Sequence, residues 1–196
     1  AIATARDALR LVSPGGRTGA VGADLAAALA ARSGDRRRAL SLSGEALARA
    51  LGIDDDALLY RISRRRAEIA RALGEEDIAL AAYRNAFARL RRLRRDLPIL
   101  YDARGRSLYR AAFEGFHTDF VTILLALSER GDRQVLLREA LDVIEDLKVV
   151  ELEDYFRERC VTHRGEVTID RVDSRAAVIY PILLEDRIEL IVSIDG

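Results

Sequence analysis

The sequence predicts a mainly α-helical protein of stacked helical hairpins that closes with a β-hairpin. Three observations carry this. Ala and Leu recur at helical spacing through most of residues 1–158, and two helix pairs superimpose at an offset of 40 residues. After Cys160, Val, Thr and Ile take over with period-two alternation. The organisation this implies is a helical repeat domain over residues 1–158, followed by a linker and hairpin over 159–196.

The elements follow in order. Residues 2–12 read as a short helix, and Ser13, Pro14, Gly15 and Gly16 break it. From about 20 to 51 two helices meet at Ser33-Gly34-Asp35, where the glycine ends one and the aspartate caps the next. A second pair runs from about Asp55 to Leu73 and from Glu75 to Asp96, with Gly74 at the junction and Leu97-Pro98 closing it. A third runs from about Gly105 to Arg130 and from Asp132 to Arg157. Phe113, Phe116, Phe120, Leu124 and Leu127 form its core stripe, and Glu139, Asp142, Glu145, Asp146, Glu153 and Asp154 take the outer positions of its second helix. The apolar run Ala176–Leu184 predicts a buried strand. Glu185-Asp186-Arg187 turns the chain into a second strand, in which Ile188, Leu190, Val192 and Ile194 alternate with Glu189, Ile191 and Ser193.

The repeat aligns Ala27 with Ala67, Ala30 with Ala70, Gly34 with Gly74, Ala39 with Ala79, Leu40 with Leu80, Ala46 with Ala86 and Leu47 with Phe87. Small residues at fixed places have a physical use, because helices that approach closely need Ala or Gly where larger side chains would collide. Gly74, Ala79, Tyr83 and Ala86 resemble the tetratricopeptide repeat, in which a turn glycine is followed by a small residue, an aromatic and another small residue. The first pair departs from the pattern with Ser43 in the aromatic position, and the second has Ser63, Arg66 and Ala70 where the family has Trp, Leu and Tyr. The 40-residue spacing, longer than the family's usual 34 or so, implies longer helices. The resemblance places Arg61, Arg64, Arg65, Glu68 and Arg71 on the first-helix face that lines the family's concave groove, and so implies an acidic peptide or protein segment as partner.

The long helix containing Leu147–Phe156, followed by Ala177–Leu184 and a second strand, resembles the entrance to a CHAT domain, the caspase-like domain associated with tetratricopeptide repeats in bacteria. That resemblance implies an α/β peptidase domain only begun here, with its His and Cys dyad beyond Gly196. This chain is then a non-catalytic interaction and regulatory scaffold. Self-assembly through the hairpin is the alternative role.

Composition agrees with a folded chain: 49% hydrophobic and 33% charged residues exclude extensive disorder. No apolar stretch approaches the roughly 18 residues of a membrane helix. With no targeting signal in this chain, a cytoplasmic setting is favoured, and the absence of Met reads as a piece of a longer chain. Cys160, the single cysteine, excludes an internal disulfide and leaves a zinc site short of thiolates, so neither metal nor cofactor is expected. Cys160 and His163 are three apart but precede the first strand, and Cys160 reads as a structural thiol. His117 reads as a surface or packed residue. Charge is uneven: residues 1–100 hold 19 Arg against 12 acids, and the rest 13 bases against 20 acids. The basic half, with Arg61, Arg64, Arg65, Arg66, Arg71 and the run Arg89–Arg95, serves an acidic partner or nucleic acid, or is neutralised within the fold. Neutral net charge favours the last over nucleic acid.

Overall fold

A computed structural model describes residues 15–96, 108–156, 177–184 and 186–194. The chain is mainly helical with a C-terminal antiparallel hairpin, and it divides into two compact units, residues 1–98 and 99–196. The third helix pair therefore belongs with the hairpin. The expected helix at 2–12 lies outside the described residues, as do Cys160 and His163.

The first unit contains α1 (Gly16–Arg32), α2 (Arg36–Ala50), α3 (Asp56–Leu73) and α4 (Glu76–Asp96). The 40-residue offset governs its backbone: α1 and α3 begin at positions 16 and 56, and α2 and α4 at 36 and 76. The turns repeat as well. Gly34 and Gly74 both adopt left-handed φ, at 85° and 75°, which a residue without a Cβ takes up at little cost. The Gly34 amide donates to the Ala31 carbonyl at 3.1 Å and the Asp35 amide to Ala30 at 3.0 Å; Gly74 to Arg71 and Glu75 to Ala70 match at the same distances. Both turns thus satisfy two terminal carbonyls in the same way.

Aspartates start the helices that follow loops. Asp35 accepts from the Arg38 amide, and Asp55 accepts from the Leu58 amide at 2.9 Å. The Leu58 amide, opposed by partial burial and reinforced by Arg17 at 2.9 Å, holds the Asp55 carboxyl below the ordinary aspartate value.

Packing follows the repeat. Ala27 and Ala67, Ala39 and Ala79, and Ala46 and Ala86 are all wholly buried, and Ser43 and Tyr83 occupy one buried position in the two pairs. Each helix packs on the next, and α1 also meets α3, whereas α1 does not pack on α4. This is a stack of hairpins, with α2 and α3 as the shared seam, and not a closed four-helix bundle.

In the second unit α5 (Leu108–Ser128) packs on α6 (Arg133–Phe156), with the Asp132 side chain capping the start of α6. Phe116, Phe120 and Leu124 are buried as the stripe predicts, and Val121, Ala140 and Val143 join them. One acidic position is corrected: Asp146 does not face outward. Its side chain is only 9% exposed and meets His117 on α5.

The hairpin pairs β1 (Ala177–Leu183) with β2 (Ile188–Ile194), from Ala177 opposite Ile194 to Leu183 opposite Ile188. Two expectations are corrected here. β1 is not buried on both faces, because Ala177, Ile179, Pro181 and Leu183 are exposed while Tyr180 and Ile182 are covered. In β2 the apolar stripe Ile188, Leu190, Val192, Ile194 points outward, and it is Ile191, from the more polar phase, that is buried. The register explains this: Tyr180 lies opposite Ile191, and the α6 residue Lys148 sets its ammonium 5.2 Å from the Tyr180 ring centroid. The face carrying Tyr180 is thereby the one turned to the helix.

Candidate functional site

The arginines singled out in the sequence lie on α3, whose first turn is capped by Asp55 and whose inner face is fixed by Leu59, Ile62, Ala67 and Ile69. Residues four apart share one side of a helix, so Arg61 and Arg65 emerge together. They converge on Asp24 of α1. Arg65 donates from Nε to Asp24 Oδ1 at 2.7 Å and from Nη2 to Oδ2 at 3.4 Å, and Arg61 donates from Nε to Oδ2 at 3.1 Å. The Asp24 side chain is 1% exposed, against 49% for Arg61 and 29% for Arg65. A carboxylate so withdrawn from water is tolerated because two guanidinium groups, one of them in a two-point grip, replace its hydration. This clamp joins the first helices of the two pairs.

Arg64 and Glu68 lie on a neighbouring stripe, where Arg64 donates to Glu68 at 2.9 Å and to the Tyr60 hydroxyl at 3.4 Å. Burial opposes the charge on Arg64, but the bonds to Glu68 and Tyr60 outweigh it and strengthen its basicity. Burial also pushes the Tyr60 hydroxyl up. Arg71 lies further along α3, at its exposed C-terminal end. The five candidate residues therefore share one helix but split into a buried clamp, a surface pair and an end position.

Arg66, set aside in the groove reading, turns out to be structural. It reaches α2, donating from Nη1 to the Leu40 carbonyl at 2.9 Å and to Ser43 Oγ at 3.1 Å, while Ser43 donates to the same carbonyl at 2.7 Å. Burial lowers its basicity. A Cβ on Gly44 would stand 3.1 Å from that Nη1. Ser43 departs from the aromatic pattern because an arginine from the next pair already fills the space. Ser43→Tyr, which restores the aromatic of the second pair, is expected to destabilise the chain by about 2 kcal/mol through overpacking. In an Arg66→Ala background the penalty should shrink, which urea unfolding of the four chains of this cycle measures.

Other basic residues have partners within the unit. Arg17 pairs with Asp55, Arg49 with Glu45, and Arg89 with Asp56 at 2.8 Å, while Arg91 lies over the Phe87 ring. The positive charge of the first half is thus neutralised in part by that half's own acids.

In the second unit, buried His117 is held by the Phe113 carbonyl at Nδ1, 3.0 Å away, and by Asp146 at Nε2, 3.3 Å away. Both ring nitrogens are committed to acceptors of its own chain, which makes the residue a tie between α5 and α6. Among the described residues no group of three or more His, Cys, Asp or Glu is placed to hold a metal ion, and no helix is long and apolar enough to cross a membrane.

No known protein family, curated protein or solved structure matches this chain significantly.

Proposed function

We propose that the first unit is a protein-binding scaffold of tetratricopeptide type, and that the chain is the non-catalytic, regulatory part of a larger protein carrying a CHAT-type caspase-like domain. The observation that supports this most is the congruence of the two hairpins: equal helix starts, equal glycine turns and equal buried positions 40 residues apart, stacked without closure. Open stacks of like hairpins leave a continuous face of first helices, here α1 and α3, and such faces bind extended segments of other proteins. The position of the hairpin after α6 agrees with the start of a sheet domain.

An acidic segment is the guest this face suits. Arg61 and Arg65 are already engaged by Asp24, so the cations with most to gain are Arg64, whose present partner is the exposed Glu68, and Arg71 at the end of α3. Nucleic acid is the weaker reading, since Arg61, Arg64, Arg65, Arg66 and Arg89 have internal partners that phosphates would have to displace. The experiment is fluorescence anisotropy with a labelled Asp- and Glu-rich decapeptide and with a labelled single-stranded oligonucleotide of equal charge. The peptide is expected to bind more tightly, and Arg64→Ala with Arg71→Ala to weaken it by about fivefold or more. Preferential binding of the oligonucleotide, or peptide binding untouched by the double substitution, would sink the proposal.

A further inference from the structure

We infer that the outward face of the C-terminal hairpin is a self-association surface whose occupant is the same face of a second copy of this chain. The face is defined by the register. Ala177 opposite Ile194, Ile179 opposite Val192, Pro181 opposite Leu190 and Leu183 opposite Ile188 put eight residues on one side, and none is polar. Ile179, Leu183, Ile188, Leu190, Val192 and Ile194 are between 51% and 75% exposed. They present on the order of 700 Å² of apolar surface, more than the few hundred Å² of an ordinary monomer's largest patch and close to the roughly 800 Å² each partner buries in a stable complex. The opposite face, with Tyr180, Ile182 and Ile191 buried, is already covered.

The hydrogen-bond ladder says how the copies meet. The Leu184 amide donates to the Arg187 carbonyl at 2.9 Å, so positions 184 and 187 form a hydrogen-bonded pair. Such pairs alternate along an antiparallel ladder, which makes all four pairs of the outward face the non-bonded kind, with side chains at their closest. In these pairs the main-chain amides point to the outer edges of the sheet. At position 181 the residue is proline, which has no amide to offer, so the β1 edge is interrupted in the middle. Extension through β1 is blocked and the apolar face is open, which favours stacking face to face, about 10 Å apart, as in a sandwich. A face with no charge meets no repulsion from its own copy. A two-fold axis through its centre, between the Ile179–Val192 and Pro181–Leu190 pairs, matches each apolar side chain to another.

Sedimentation velocity of the whole chain from about 1 to 200 µM tests this beside an Ile179→Lys, Leu190→Lys variant, with circular dichroism on both. The expected result is a concentration-dependent dimer, with a dissociation constant on the order of 10 µM, that the two lysines abolish while the helical signal is kept. If the lysine variant does not fold, a Val192→Cys, Cys160→Ser chain decides: mild oxidation should give a disulfide-linked dimer at that central position. A wild-type chain that stays monomeric throughout, a dimer indifferent to the lysines, or no cross-link through position 192 would each overturn the inference. A monomer would also assign the face to a different partner.

Discussion

An Arg61→Ala, Arg65→Ala variant will lose about 3 to 5 kcal/mol of stability, a fall in melting temperature of roughly 15 °C or more for a unit of this size. The size follows from the asymmetry of burial around Asp24. Its carboxylate is 1% exposed, so once both guanidinium groups are gone it has neither water nor charge to balance it. Removing the acid is the milder change. After Asp24→Ala the two arginines, which already reach solvent, can turn outward and hydrate, and the cost should be about 1 to 2 kcal/mol. Urea unfolding followed by circular dichroism separates the two cases. If the double arginine variant is no less stable than Asp24→Ala, the clamp contributes nothing particular. The same asymmetry bears on binding experiments: loss of partner capture in an Arg61 variant would confound binding with folding, which is why Arg64 and Arg71 are the residues for that test.

The second large effect is expected at His117. Replacing it with alanine should cost about 3 kcal/mol, the sum of a buried ring lost from between the α5 and α6 side chains and a mostly buried Asp146 deprived of its contact. The ring also packs edge-on against Phe116 with centroids 5.8 Å apart, and a leucine of similar volume would restore some packing without restoring the polar tie. His117→Leu should therefore fall between wild type and His117→Ala in thermal unfolding. A His117→Ala chain as stable as wild type would show that α5 and α6 are held by the Phe116, Phe120 and Leu124 core alone.

The legible parts of this fold were those fixed by local chemistry. Gly34 and Gly74 marked the turns because a left-handed residue is needed there, and the aspartates at 35 and 55 marked helix starts because their side chains answer free amides. The repeat was legible because close helix packing demands small residues at the same places twice. What could not be read depended on distance in sequence. Asp24 lies 37 and 41 positions from its partners, and nothing adjacent announces that it points inward. The available signal was a single acid inside the apolar stretch from Val21 to Ala31, facing a pair of arginines spaced by one helical turn in the next repeat. Arg66 was misread for a similar reason, since only the fold brings it to Ser43. In the hairpin, alternation gave two faces but no rule for which turns inward. Both phases of β1 are apolar, and a single tyrosine packed under Lys148 decided the matter.

The central claim is that the two hairpins form one repeated unit joined by the Asp24 clamp. A double-mutant cycle between Asp24→Ala and Arg65→Ala, read as unfolding free energies, tests it most directly. A coupling energy of about 2 kcal/mol is predicted, because the two groups are in contact at 2.7 Å and one is withdrawn from water. Effects that simply add, within about 0.5 kcal/mol, would contradict it.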